Sequence, residues 1–237
     1  MVTVNKGLLI MKRNNFKKYY ILSGIFFTLF VILTILVKYV DVQPIGPEDS
    51  LVGFATLNKY FLSLFTPNLT LFYVTDYLVF VGIIIAVIFA VIGIIQLIKR
   101  KSIKRVDSDL IILGVYYIFV VIFYLFFEFE VINFRPILID GKLQASYPST
   151  TSFVLTSVIP VAIVLYHKMI SNKPLRITID VVLILVDVFA IVGRLVSCGH
   201  WFTDILGSLV LSAGFVFIFL GVKRHVDTYK QIHRNNY

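Results

Sequence analysis

Gly193-Arg194-Leu195-Val196-Ser197-Cys198-Gly199-His200-Trp201-Phe202-Thr203-Asp204 sets a guanidinium, an imidazole and a carboxylate between two apolar stretches, residues 177–192 and 205–222. Charge beside a membrane-length helix is costly unless it is paired or used, so such a run is rarely kept for packing alone. The segment predicts two membrane spans joined by a reactive loop, and with them a membrane enzyme.

The rest of the chain agrees with a membrane setting. Of 237 residues 59% are hydrophobic, 15% aromatic and only 15% charged, which would leave a soluble surface short of polar cover. The net charge of +9 comes from short basic runs between apolar stretches and forms no continuous face, so nucleic acid is not a predicted partner. Cys198 is the single cysteine, which rules out an intramolecular disulfide and leaves helix packing to hold the fold.

Six stretches approach the roughly 20 residues that cross a hydrocarbon core: 20–37, 77–97, 110–127, 152–166, 177–192 and 205–222. The fourth and fifth are short and are expected to lean on neighbours or on polar residues at headgroup level. The first follows about twenty mostly polar residues and reads as a retained anchor, because no small-residue cleavage site comes after it. Without repeats, linkers or low-complexity tracts, residues 1–237 read as one all-α domain, a polytopic bundle of six transmembrane helices.

Lys and Arg set the expected orientation. The N-terminal arm (Lys6, Lys12, Arg13, Lys17, Lys18), the second connection (Lys99, Arg100, Lys101, Lys104, Arg105), the fourth (Lys168, Lys173, Arg176) and the tail (Lys223, Arg224, Lys230, Arg234) hold 17 of the 22. The other side keeps Lys38, Lys59, Arg135, Lys142 and Arg194. The positive-inside rule then makes both termini cytoplasmic and turns the polar clusters outward. The first outer loop, residues 41–76, is long enough for a short interfacial helix, with 61–65 and 71–73 along the headgroups. The compact six-span layout points to a bacterial plasma membrane.

Three outward segments carry chemistry. Asn133-Phe134-Arg135-Pro136 follows the third span and presents a guanidinium able to grip phosphate oxygens. Tyr147-Pro148-Ser149-Thr150-Thr151-Ser152 opens the fourth span, where Ser149 is a candidate N-cap and the first-turn N–H groups an anion site. The third segment is the opening run. If His200 and Asp204 share the start of the last helix, a spacing of four lets the carboxylate fix the imidazole tautomer. No compact His/Asp/Glu set has convincing metal-ligand spacing, so neither metal nor cofactor is expected.

From about residue 128 to 207 these segments resemble the type 2 phosphatidic acid phosphatase superfamily, in its membrane lipid phosphatase branch. Its third motif, Ser-Arg-x5-His-x3-Asp, is matched at Arg194, His200 and Asp204, with Gly193 for the Ser. Its first, Lys-x6-Arg-Pro, is matched at Arg135 and Pro136, with Glu128 for the Lys. Its second, Pro-Ser-Gly-His, is matched at Pro148 and Ser149, with Thr150 and Thr151 for Gly and His. The resemblance implies a lipid phosphatase in which His200 attacks phosphorus to form a phosphohistidine. Asp204 would orient His200, and Arg135, Arg194 and Ser149 would bind phosphoryl oxygens.

The departures carry their own implications. The motif His implies the leaving-group acid, and the Thr151 hydroxyl has no useful acidity near neutral pH. A lipid diphosphate, whose leaving group is itself a phosphate, would tolerate that loss; a polyprenyl diphosphate is the hypothesised preference. The alternative is a silent lipid-phosphate-binding relative, and a substitute acid from Glu128, Glu130 or Asp140 is conceivable. Lys142, in the loop between the first two motifs, either compensates for Glu128 or is a solvated loop residue, the simpler reading.

Several residues have plainer roles. Asp180, Asp187 and Arg194 recur every seven residues, which puts them near one helix face; Asp187 supports Arg194 or, more simply, packs helices. His167, His225 and His233 read as loop residues, Cys198 as a small packing residue, and residues 116–129 as lipid-facing and core aromatics. Trp201 reads as an interfacial anchor or a wall of a headgroup pocket. A transporter or channel would spread polar residues through several spans, whereas these gather at one face.

Overall fold

The computed structural model describes the backbone of residues 2–234 and the side chains of residues 16–232. The charges assigned above to Lys6, Lys12, Arg13 and Arg234 lie outside the described side chains, and the backbone at His233 is helical and not a loop.

Long apolar runs become helices, one of them with Pro160 inside it, and most ends lie within four residues of the predicted stretches; the first helix starts at Val2 instead of 20 and the last runs to Arg234 instead of 222. The helices are α1 (Val2–Tyr39), α4 (Val79–Arg100), α5 (Ser108–Phe129), α6 (Thr150–Tyr166), α7 (Lys173–Val196) and α8 (Phe202–Arg234). Their ends are written in the sequence. Asn172 accepts a hydrogen bond from the Leu175 amide at 3.0 Å and Pro174 stands in the first turn, so α7 starts there. Lys99 and Arg100 sit at the negative end of α4, which stops at Lys101 in a left-handed conformation (φ 54°).

The first connection folds further than the predicted interfacial segment. It forms α2 (Ala55–Ser63) and α3 (Leu69–Tyr77), preceded by a two-residue antiparallel pair, β1 (Gln43–Pro44) with β2 (Leu51–Val52). Asn68 caps α3 by accepting from the Leu71 amide at 2.9 Å. Asn58 of α2 donates to the Thr203 hydroxyl at 2.9 Å and accepts from its amide at 3.1 Å, which docks α2 onto the start of α8.

Four stretches are long and apolar enough to cross a membrane by length and composition: Phe16–Tyr39, Leu69–Arg100, Ser108–Phe129 and Phe202–Ile232. The protein is accordingly an all-α integral membrane protein. Helix α6 has only 17 residues. Most of them are buried, so it runs as the central post of the bundle while α4, α5 and α7 turn Ile, Val and Phe side chains outward. Helix α7 carries Asp180, Asp187 and Arg194 in its apolar run, and the mid-helix carboxylate of Asp187 accepts from the Thr156 hydroxyl of α6 at 3.0 Å. Asp187 thus ties two helices together, as in the packing reading.

The core is aromatic. Tyr116, Phe123 and Phe153 meet Phe215 or Phe219 edge to face, with ring centres 5.0–6.0 Å apart. Helices α1 and α8 pack intimately: a Cβ on Gly214 would come 3.0 Å from the Phe27 ring, and Ser23 donates to the Gly214 carbonyl at 2.9 Å. His225 lies on α8 and stacks on Phe16 with ring centres 4.5 Å apart, so it is a helix residue and not a loop one. His167 follows α6 and pairs with Asp180 at 2.9 Å. These contacts leave the start of α6, the end of α7 and the start of α8 together at one end of the bundle.

Candidate functional site

At that end His200, 1% exposed, occupies the turn between α7 and α8. Its Nδ1 lies 3.0 Å from the Ser146 carbonyl oxygen, which can only accept. Nδ1 therefore carries the hydrogen and Nε2 keeps a lone pair. Two guanidiniums converge on that lone pair, Arg135 Nη1 at 2.8 Å and Arg194 Nη2 at 2.9 Å. Burial first, then the two neighbouring cations, hold the imidazole well below its ordinary protonation range. His200 is thus an uncharged base with its lone pair aimed between two fixed cations.

Each cation is held by a different element. Arg135 stands on the loop between α5 and α6, which folds back on itself through Arg135 N to Gln144 O (3.0 Å) and Ser146 N to Asn133 O (2.9 Å). Its Nη1 also donates to the Gly199 carbonyl at 3.1 Å. Arg194, fully buried, comes from the last turn of α7. The ring of Phe72 on α3 lies 4.3 Å from the Arg194 guanidinium and 5.2 Å from that of Arg135, a cation–π floor for both. Helix α3 reaches this position because residue 193 lacks a side chain: a Cβ there would stand 2.4 Å from Thr75 Cγ2.

The Nε atoms of Arg135 and Arg194 are buried without a hydrogen-bond partner. Buried donors are normally satisfied, and two unsatisfied guanidinium edges beside one imidazole suit a small multivalent oxyanion. Phosphoryl oxygens have that geometry and charge. Among the described residues no group of three or more His, Cys, Asp or Glu is arranged to hold a metal ion.

Asp204 differs from its sequence reading. His200 precedes α8 while Asp204 lies in its first turn, so the two do not share a helix. Asp204 Oδ2 accepts from the Trp201 amide at 2.9 Å, as an acidic residue in a capping box does, and stands 3.4 Å from His200 Nδ1. The Ser146 carbonyl is the nearer partner and fixes the tautomer. Trp201 is 1% exposed and donates to the Phe134 carbonyl at 2.6 Å, which makes it a buried strut behind the site and not an interfacial anchor.

Ser149 stands at the N-cap position of α6, yet its hydroxyl caps no backbone group and donates to Ser152 Oγ at 3.0 Å. Its amide bonds the Asp204 carbonyl at 3.1 Å, which fastens the head of α6 to the head of α8. The neighbouring hydroxyls meet carboxylates: Thr150 donates to Glu128 at 2.8 Å and Thr151 to Asp76 at 3.1 Å. Lys142 is exposed at the tip of its loop. Asp140 accepts from the Tyr73 hydroxyl at 2.6 Å, and Glu130 is exposed.

Asp76, Phe72 and Ser146 escaped the sequence reading. Asp76, at the end of α3, lies 3.0 Å from Arg194 Nη1 with its side chain 43% exposed. The one signal for it in the sequence is a lone carboxylate just ahead of the long apolar run of α4. Phe72 looks like any aromatic of a Phe-rich chain, and Ser146 acts through its carbonyl, which every residue has.

No protein-family profile matches the chain, and no curated protein sequence matches it. Among solved structures the fold is similar to the crystal structure of a transmembrane PAP2-type phosphatidylglycerolphosphate phosphatase from Bacillus subtilis. The TM-score is 0.53 at 17% sequence identity, over 86% of this chain and 97% of that one. The likeness is one of fold, a membrane PAP2-type phosphatase fold.

Proposed function

We propose that the chain is a membrane phosphatase that hydrolyses a lipid phosphate or lipid diphosphate through His200. The observation that carries the reading is the lone pair of His200 Nε2 between Arg135 and Arg194, at 2.8 and 2.9 Å. Nε2 attacks phosphorus, the bond from phosphorus to the leaving oxygen breaks, and a phosphohistidine forms; water then cleaves the P–N bond and returns the lone pair. Arg135 and Arg194 stabilise charge on the transferring group, and the first turn of α6 from Ser149 adds backbone N–H donors. Asp204 holds the loop that carries His200. No metal or cofactor takes part.

The proposal extends to topology. All six long helices cross the membrane as one domain, both termini face the cytoplasm, and the site opens outward, in a bacterial plasma membrane. Support comes from the far end of the bundle, where Lys99, Arg100, Lys168, Lys173, Arg176 and Lys223 gather, since basic residues concentrate on the cytoplasmic side. Asp76 against Arg194, and Glu128 against Thr150, favour a second reading, a silent lipid-phosphate binder whose anion site faces its own carboxylates.

Purified protein in detergent would be assayed for phosphate release from a polyprenyl diphosphate, phosphatidic acid and phosphatidylglycerophosphate, the last because of the activity named for the structural neighbour. Release that disappears in His200→Ala is the expected result. Release from none of the three lipids, with binding retained, would replace the enzyme by the silent binder.

A further inference from the structure

A lipid monoester presents a difficulty that the two arginines do not solve. When its P–O bond breaks, the departing oxygen is an alkoxide and requires a proton, whereas a phosphate or a nitrophenolate leaves unaided. His200 is committed as nucleophile, with its Nδ1 hydrogen turned to Ser146. Asp204 lies behind it, fully buried, with Oδ2 on the Trp201 amide. Ser149, Thr150 and Thr151 offer hydroxyls of negligible acidity. Glu128 is engaged by Thr150 and Asp140 by Tyr73, and neither forms an ion pair with the site arginines.

Asp76 accepts from a threonine as Glu128 does, but it also reaches a site arginine. Its Oδ1 is 3.0 Å from Arg194 Nη1 and 3.1 Å from Thr151 Oγ1. Its side chain is 43% exposed, whereas that of Arg194 is fully buried, so the carboxyl bridges the oxyanion site and the solvent from which protons come. Arg194 sends Nη2 to His200 and Nη1 to Asp76, so one rigid guanidinium links nucleophile and carboxyl. We infer that Asp76, poised by Arg194 and Thr151, is the proton donor to the leaving oxygen of lipid monoesters and the proton acceptor from water in the second step.

The inference rests on the phosphatase reading. In the first step the phosphate takes the place of the Asp76 carboxylate on Arg194, the freed carboxylate takes a proton from solvent, and as the N–P bond forms and the P–O bond breaks that proton passes to the lipid oxygen. In the second, water attacks phosphorus, its proton returns to Asp76, and inorganic phosphate leaves as His200 recovers its lone pair. Asp76 touches Arg194 from α7 and Thr151 from α6, and Tyr124 from α5, Arg135 from the α5–α6 loop and Tyr73 on α3 itself are near enough to feel its charge. The consequence is a substrate range that includes monoesters, even though Thr151 lacks acidity.

The test is leaving-group dependence. Full-length protein in detergent, with Asp76→Asn, Asp76→Glu and His200→Ala, is assayed on phosphatidic acid, whose leaving group is a poor one, and on p-nitrophenyl phosphate, whose leaving group is good. Loss of general-acid help costs about 10²–10⁴-fold. Asp76→Asn is expected to lose at least about a hundredfold in kcat on phosphatidic acid and less than about tenfold on the aryl ester. Asp76→Glu should recover part of the lipid activity. Equal losses on both substrates would show that Asp76 merely positions Arg194, and no loss on either would remove it from the reaction; both overturn the inference while His200→Ala still abolishes turnover. If wild type turns over neither ester, or His200→Ala keeps its activity, the phosphatase reading itself fails and takes this inference with it.

Discussion

The two ends of the bundle hold similar charges in opposite ways. At the end of α4 and α6, Arg100 pairs with Asp107 at 2.8 Å and Lys168 with Asp109 at 2.7 Å, and these cations are 41% and 54% exposed. Each has a carboxylate and water, so pairing there contributes little to stability and leaves nothing to recruit a ligand. At the other end Arg135 and Arg194 are 7% and 0% exposed and share one imidazole lone pair; Asp76 meets only Arg194, and each arginine keeps an unpartnered Nε. Two cations pressed together in low dielectric oppose each other, an arrangement that a bound oxyanion would relieve. Polar side chains alone do not mark a site; cations buried against their own interest do.

Substitutions can break this contrast, and the effects should descend in order. His200→Ala should abolish phosphate release with the protein still monodisperse in detergent. Arg135→Ala and Arg194→Ala should each lower kcat by about 10²–10³-fold, the usual loss on removing one donor from a charge-stabilising site. Orthovanadate should raise the thermal midpoint of wild type and not of Arg194→Ala. If vanadate stabilises Arg100→Ala and Arg194→Ala alike, the two ends do not differ as described.

Gly193→Ser sharpens the comparison from another side. It installs the Ser that the resembling motif carries at this position, yet the new Cβ would meet Thr75 at 2.4 Å. Overpacking at a close helix contact costs about 1–3 kcal/mol, and Thr75→Ala in the same chain should recover most of it. A Gly193→Ser protein as stable as wild type would mean that α3 does not sit against α7 as found. The smallest effect belongs to the far end, where Arg100→Ala should change stability by less than about 1 kcal/mol and leave turnover unchanged.

Acid provides a further test. His200 is held well below its ordinary range by burial and then by Arg135 and Arg194, so the folded protein does not take up this proton while the unfolded chain does near pH 6.5. Protons bound by the unfolded state alone favour unfolding as pH falls, so stability should decline below about pH 6.5. The decline should be shallower in His200→Gln, read from thermal midpoints in detergent. Identical slopes in both proteins would show that His200 titrates normally.

How much of this was legible in the sequence depends on how each residue acts. Arg135, Arg194 and His200 were named from motif spacing, and the geometry brings all three within 3 Å contacts. The helices followed from their apolar runs to within a few residues at most ends, but the outer ends of α1 and α8 continue into polar sequence that hydropathy does not mark. Asp204 does stand 3.4 Å from His200 Nδ1, but not through a shared helix, because α8 starts after His200 and the turn before it brings the two together. Asp76 left only a faint signal, Phe72 read as part of a headgroup segment although it is buried under the arginines, and Ser146 left none. They reach the site through the tertiary fold, from segments 54 to 128 residues away from His200, and a backbone carbonyl or a common aromatic leaves no pattern to read.

The central claim is that His200 Nε2 takes the phosphoryl group. Purified protein would be mixed with phosphatidic acid labelled with ³²P in its phosphate, quenched in alkali within milliseconds, and digested for peptide mapping. The account predicts an acid-labile, alkali-stable label on the peptide containing His200, absent in His200→Ala together with turnover. Label on another residue, or phosphate release that persists in His200→Ala, would contradict it.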